Sequence, residues 1–303
     1  MNNPVKILIE KKLKSKHPFS IFFMGLSKNA GKTTALNYFR SQLQQITTRP
    51  LVLLSTGYDG EDTDAISGLV KPKITMSPGN LFVTSEDVIQ LKSEECRIVD
   101  SWTSQTPFGK VMLAEALADT TFPLITAGCN EEIKYIIEQI KNKFEDPIFL
   151  VDGSINRKAF LTLGSPEDIV ILSIGATLSN KMDELVNELS YNTTLFQLPV
   201  KKEYDNNYFV LETIDQSKAE GYKNTKVIIP GIGACFLSAL QFKKFLAAGN
   251  ELYYITPSPV LSLITFNPFN PTGKDLNSNT SLFILQKSIP DIQITNIREL
   301  SAC

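Results

Sequence analysis

Short apolar runs alternate with stretches in which apolar residues recur at helical spacing, the rhythm of an α/β protein. Residues 20–24 form an apolar run of strand length. A small polar stretch follows, and then Leu36, Phe39, Leu43 and Ile46 fall on one helical face. Pro50 precedes a second buried run at 51–54. From Asn130 the rhythm returns, with Ile133, Ile136, Ile137, Ile140 and Phe144 on a helix face and a strand over 147–151. Residues 169–174 predict another strand, 179–189 an amphipathic helix, and 194–200 close the unit. Between these blocks, residues 66–127 are less regular. Turn residues at Lys71-Pro72-Lys73 and Ser77-Pro78-Gly79-Asn80 flank short alternating runs, and 97–102, 111–117 and 122–126 suit strands. Residues 201–207 are polar enough for a linker, and strand and helix patterns restart beyond it.

The expected fold is therefore α/β, a P-loop NTPase domain with a mostly parallel sheet over 19–200. It carries a β-rich insertion at about 66–127, a basic segment at 1–18 before it, and a smaller α/β domain at 208–303.

The chemistry concentrates at the first strand–helix junction. Gly25-Leu26-Ser27-Lys28-Asn29-Ala30-Gly31-Lys32-Thr33-Thr34 is close to a Walker A loop, with five residues between the glycines instead of four. A phosphate chain needs several backbone N–H groups aimed inward, so such a loop curls tightly around small residues. The helix N-terminus behind it adds partial positive charge and free donors. Gly25, Ser27, Lys28, Asn29, Ala30 and Gly31 would form the cradle, with Lys32, Thr33 and Thr34 opening the helix. Lys32 would neutralise the β- and γ-phosphates and the Thr33 hydroxyl would hold Mg²⁺. The spacing resembles the loop of dethiobiotin synthetase.

Carboxylates at strand ends are candidate partners, because ligands of open α/β sheets sit there. Asp152 follows four apolar residues, the Walker B shape, and would hold Mg²⁺; the simpler reading is a helix-capping acid. Asp59, and after it Glu61, follow the second strand within a segment holding four acids in six positions, and Asp59 would reach Mg²⁺ or the attacking water. A solvated acidic loop explains that segment equally. Asn156 and Arg157 follow Asp152 closely; Arg157 would contact phosphate or lie free at the surface. Gly231-Ile232-Gly233 lacks the third glycine of a dinucleotide fingerprint.

Composition narrows the alternatives. A chain of 303 residues, 43% hydrophobic and 20% charged, has enough apolar residues for a large core. A formal net charge of −2 gives no general attraction to nucleic acid. The single histidine, His17, leaves no histidine metal cluster or Ser-His-Asp triad. Four scattered cysteines suit reduced thiols and a cytoplasmic location. No run has the ~18 apolar residues of a membrane helix, so no stable membrane association is expected. The basic N-terminal segment reads as a solvated amphipathic helix, or alternatively as a membrane-surface or partner-docking helix. Trp102 is expected in the core.

The segments together resemble the P-loop subunit of the lysine 5,6-aminomutase reactivase. The carriers are Ser27–Thr34 of the phosphate loop, Thr56-Gly57-Tyr58-Asp59-Gly60-Glu61 with Lys71-Pro72, Thr106-Pro107-Phe108-Gly109, Asp152-Gly153-Ser154-Ile155-Asn156-Arg157-Lys158, and Thr265-Phe266-Asn267-Pro268. Tyr58 stands where the family has Arg, and the C-terminal half matches more loosely. The resemblance implies a Mg²⁺-dependent ATPase that restores an adenosylcobalamin-dependent aminomutase by releasing damaged cobalamin. It also implies a second, MutS-related subunit as partner. A small-molecule synthetase or kinase and a non-catalytic nucleotide sensor are the other function classes the loop permits.

Overall fold

A computed structural model of the chain describes residues 3–56, 58–59, 73–153, 158–271 and 273–301; for 58, 59, 105 and 301 the description covers the backbone. The chain runs through α1 (Pro4–Leu13), β1 (Phe19–Gly25), α2 (Lys32–Ile46), β2 (Leu51–Ser55), β3 (Tyr58–Asp59), β4 (Thr75–Met76), β5 (Leu81–Ser85), α3 (Glu86–Leu91) and β6 (Cys96–Thr106). Next come β7 (Gly109–Ala116), β8 (Thr120–Thr121), β9 (Leu124–Ile125), α4 (Asn130–Lys143), β10 (Ile148–Asp152), a 3₁₀ turn at Ala159–Leu163, β11 (Ile169–Gly175) and α5 (Met182–Phe196). The C-terminal part holds β12 (Tyr208–Val210), α6 (Gln216–Ala219), β13 (Lys226–Ile229), α7 (Ala239–Ala247), β14 (Glu251–Tyr254), β15 (Val260–Asn267), α8 (Ser278–Ser288), β16 (Ile294–Asn296) and α9 (Ile297–Ser301).

Nine strands form one sheet in the order β16-β15-β11-β1-β10-β2-β5-β7-β6. Neighbours from β16 to β5 are parallel, and β7 and β6 are antiparallel at one edge. The four central strands are apolar on both faces, as strands covered by helices on each side must be. Phe19, Ile21 and Phe23 of β1 pack into one core with Val5 and Ile9 of α1 and Leu36, Phe39 and Leu43 of α2. Phe22 and Met24 point the other way, into a core with Ile133, Ile136 and Ile140 of α4 and Leu185 and Leu189 of α5. β10, β2 and β11 alternate in the same manner.

This alternation sets where the chain goes after each strand. β1 feeds α2 on one face, while β10 leads to Phe160 and Leu161 on the other. Adjacent strands whose exits part to opposite faces leave a crevice at their carboxyl ends. β1 and β10 are such a pair.

The β-rich stretch expected at 66–127 divides, in its described part, between the main sheet, which β5, β7 and β6 extend, and two small antiparallel pairs, β4 with β8 and β9 with β3. β5 pairs parallel with β2, and β7 and β6 add a hairpin through Thr106↔Gly109. Every residue of β5 is buried, which explains why it lies inside the sheet. Trp102 on β6 is 8% exposed and packs in the core. The C-terminal stretch divides: β12, β13 and β14 form a separate parallel sheet, whereas β15 and β16 widen the main one. Helix α5 continues past the expected end at 189, because Leu195 keeps the helical spacing and Thr193 and Thr194 bond back to the Leu189 and Ser190 carbonyls. The N-terminal basic segment forms α1, capped by Asn3 and docked on the fold through fully buried Val5 and Ile9. Among the described residues, no helix is long and apolar enough to cross a membrane.

Candidate phosphate-binding site

The loop after β1 turns sharply because Asn29 (φ 58°) and Gly31 (φ 98°) both adopt left-handed backbone. Left-handed residues in a tight turn bring successive N–H groups toward a common point. Asn tolerates this conformation and glycine occupies it freely. Gly31 is also the N-cap of α2 and provides no side-chain cap, so the first N–H groups of the helix have no intrahelical partner. The first turn of α2 carries no acid that would compete with an anion.

Neighbouring strand ends hold the loop. The Leu26 N–H donates to the Ser173 carbonyl at 3.0 Å, and Ser27 and Thr177 share a hydroxyl bond of 2.8 Å. Asn267, at the end of β15, donates its Nδ2 to the Asn29 carbonyl at 2.8 Å. Ala30 is 2% exposed. A Cβ on Gly31 would lie 3.1 Å from Ile297 Cγ1, so α9 closes the loop from behind. Ser173, Thr177, Asn267 and Ile297 are supports that sequence reasoning missed as site residues. The signal available was positional, since Ser173 and Thr177 lie at or just beyond the carboxyl end of the strand expected at 169–174.

Lys32 and Asp152 meet. Lys32 Nζ donates to Asp152 Oδ1, and their side chains are 15% and 3% exposed. Asp152 is positioned by register: it lies opposite Phe23 on β1 and Ser55 on β2, and its carbonyl accepts from the Thr56 N–H at 3.0 Å. Two charges taken this far from water stabilise each other. The Thr33 hydroxyl, one residue on, has no hydrogen-bond partner among the described residues. Thr34 begins the same helix, and Lys28 is exposed on the loop. Gly25 ends β1, buried, directly ahead of the turn.

Asp59 contributes a described backbone, paired as β3 with Leu124 of β9. Its side chain, and Glu61, Asn156 and Arg157 entirely, lie outside the described residues. The loop that carries the last two resumes at Lys158. Lys158 Nζ donates to Tyr191 Oη at 3.0 Å and sits 4.6 Å from that ring's centroid. Burial pushes the Lys158 ammonium below its ordinary pKa, while burial raises the Cys235 thiol and the Tyr191 phenol beside it. Tyr191 in turn donates to the Leu237 carbonyl, so this polar group ties the β10 exit to the C-terminal sheet's surroundings.

The donor set at Thr33 and Asp152 consists of hard oxygens, which suit Mg²⁺ shared with phosphate oxygens rather than a closed protein cage. Among the described residues, no three His, Cys, Asp or Glu side chains converge as a metal cluster. No family model, curated protein or solved structure matches the chain.

Proposed function

We propose that the chain is a P-loop ATPase and acts as the nucleotide-hydrolysing subunit of a reactivase for an adenosylcobalamin-dependent aminomutase. The observation carrying the nucleotide reading is the Lys32–Asp152 ion pair, formed at the crevice between β1 and β10 directly beside a left-handed glycine loop. A cation held by a carboxylate next to free helix donors is a phosphate site with its own internal counter-ion. On binding, the γ-phosphate draws Lys32 away from Asp152.

Thr33 and Asp152 are the residues that would hold Mg²⁺. When bound, Mg²⁺ neutralises charge on the β- and γ-phosphate oxygens. The loop amides and Lys32 hold the phosphate chain while water attacks the γ-phosphorus and the bond to ADP breaks. Asp59 is the candidate to orient that water.

The reactivase role rests on the resemblance alone, in the phosphate-loop, Asp152–Lys158 and Thr265–Pro268 segments. It implies a cytoplasmic client mutase and a MutS-related partner subunit. One observation favours a second reading, an ATP-dependent synthetase or kinase: the five-residue spacing between Gly25 and Gly31 resembles that of dethiobiotin synthetase. Phosphate release from Mg-ATP separates them. The reactivase reading expects slow turnover that rises when inactivated mutase carrying damaged cobalamin is added and is lost in Lys32→Ala. Turnover indifferent to mutase but dependent on a metabolite carboxylate would favour the synthetase.

A further inference from the structure

The small parallel sheet has its own ligand crevice. Its three strands end side by side, and the segments just beyond them line a cleft of about 280 Å³. Glu212 follows β12, Gly231 and Gly233 follow β13, and Thr256 follows β14. Carboxyl ends of parallel strands, facing a second structural unit, are where α/β proteins place ligands. The opposite wall belongs to the main-sheet unit: Asn130 at the start of α4, and Ala159 and Thr162 of the turn after β10.

The walls are built to approach closely at one end and to stay open at the other. A Cβ on Gly233 would lie 2.8 Å from Thr162 Cγ2 and 3.1 Å from Ala159 Cα, so any larger residue would pry the two units apart. Asn130 fixes the far wall by donating Nδ2 to the Ala159 carbonyl (2.9 Å) and to Thr162 Oγ1 (3.1 Å). These bonds leave its Oδ1 as an acceptor. The glycine pair, too short for a dinucleotide fingerprint, thus has a structural purpose at this cleft.

The lining chemistry selects the ligand. Glu212 is the one ionisable side chain among the described lining residues, and its carboxylate makes no hydrogen bond or ion pair among them. The nearby Lys218 ammonium is engaged by the Thr213 carbonyl and hydroxyl, at 3.0 and 2.9 Å. Phe236 presents an aromatic ring at the cleft with 62% of its surface exposed. A largely apolar cleft with one exposed, unpaired carboxylate at its edge and an aromatic ring beside it suits a cation attached to an apolar body.

We propose that this cleft is a second binding site, separate from the phosphate loop, for a small ligand bearing a primary ammonium group on an apolar or aromatic body. It requires no nucleotide and stands whether or not the ATPase reading holds.

The test is calorimetric titration of the full chain with 2-phenylethylamine as probe and 3-phenylpropionate as the control of similar shape and opposite charge. Saturable binding of the amine, no binding of the acid, and about a tenfold loss in Glu212→Gln are expected. Ala159→Leu, an exposed position that narrows the cleft, should weaken the amine similarly while leaving the unfolding midpoint unchanged. Absence of saturable amine binding, or equal binding of amine and acid, would overturn the proposal. So would affinity unchanged in either variant.

Discussion

Replacing Lys32 by methionine takes the cation from a carboxylate whose side chain is 3% exposed. The carboxylate then loses its cationic partner while it stays buried at the β1–β10 crevice. Breaking a buried pair by removing one member costs about 3–5 kcal/mol, and the 15% exposure of Lys32 places this pair near the lower end. Asp152→Leu alone should cost less, about 1–2 kcal/mol, because a lysine stem swings its ammonium toward water more readily than a strand carboxylate moves. The double variant Lys32→Met/Asp152→Leu has neither charge to bury and should lie within about 1 kcal/mol of wild type. Urea unfolding of the four proteins gives the coupling energy, expected at roughly 2 kcal/mol or more. Single costs that add within about 0.5 kcal/mol in the double variant would refute the pair as a buried, mutually dependent unit.

Three further substitutions probe the fold. Gly31→Ala combines a left-handed φ of 98° with a Cβ 3.1 Å from Ile297, so it should cost about 1–2 kcal/mol in unfolding free energy and abolish nucleotide binding. Gly153→Ala would set a Cβ 2.2 Å from Phe160 Cζ and should cost about 1–3 kcal/mol by thermal unfolding, with part regained in Gly153→Ala/Phe160→Leu. Tyr254 is 1% exposed and its hydroxyl has no hydrogen-bond partner among the described residues, so Tyr254→Phe should stabilise at neutral pH by up to about 1 kcal/mol. Burial also raises the Tyr254, Tyr191 and Cys235 pKa values above their ordinary 10.0, 10.0 and 9.0. Below those values both folded and unfolded forms hold the protons, and stability is retained. As pH rises past about 9 the unfolded chain loses protons that the folded chain keeps, so stability falls. Lys158, lowered by burial, opposes this trend in the range below 10.5. The unfolding midpoint of wild type should therefore drop between pH 9 and 11, and less steeply in Tyr254→Phe.

The legible parts of the fold are those encoded locally. An apolar run of strand length, a Gly-Lys-Thr turn and helix-spaced Leu36, Phe39 and Leu43 give β1, the loop and α2 to within a residue or two. The strand ending in Asp152 is legible for the same reason. What a carboxylate touches is not local: Lys32 and Asp152 are 120 residues apart, and their meeting depends on β10 lying beside β1. The same limit applies to β5 and β7, whose strand character reads from sequence but whose place in the main sheet follows from pairing with β2. It applies again to Asn267 and Ile297, which reach the loop from the far end of the chain. The end of α5 was hidden by Thr193 and Thr194, β-branched residues that satisfy their hydroxyls along the helix instead of ending it.

The central claim is that Gly31, Lys32 and Asp152 form a phosphate site, and equilibrium binding of Mg-ATP to wild type and Lys32→Ala tests it most directly. Wild type should bind saturably in a Mg²⁺-dependent manner, and Lys32→Ala should lose at least about a hundredfold in affinity. Wild type that fails to bind nucleotide, or a variant that binds as tightly as wild type, would contradict it.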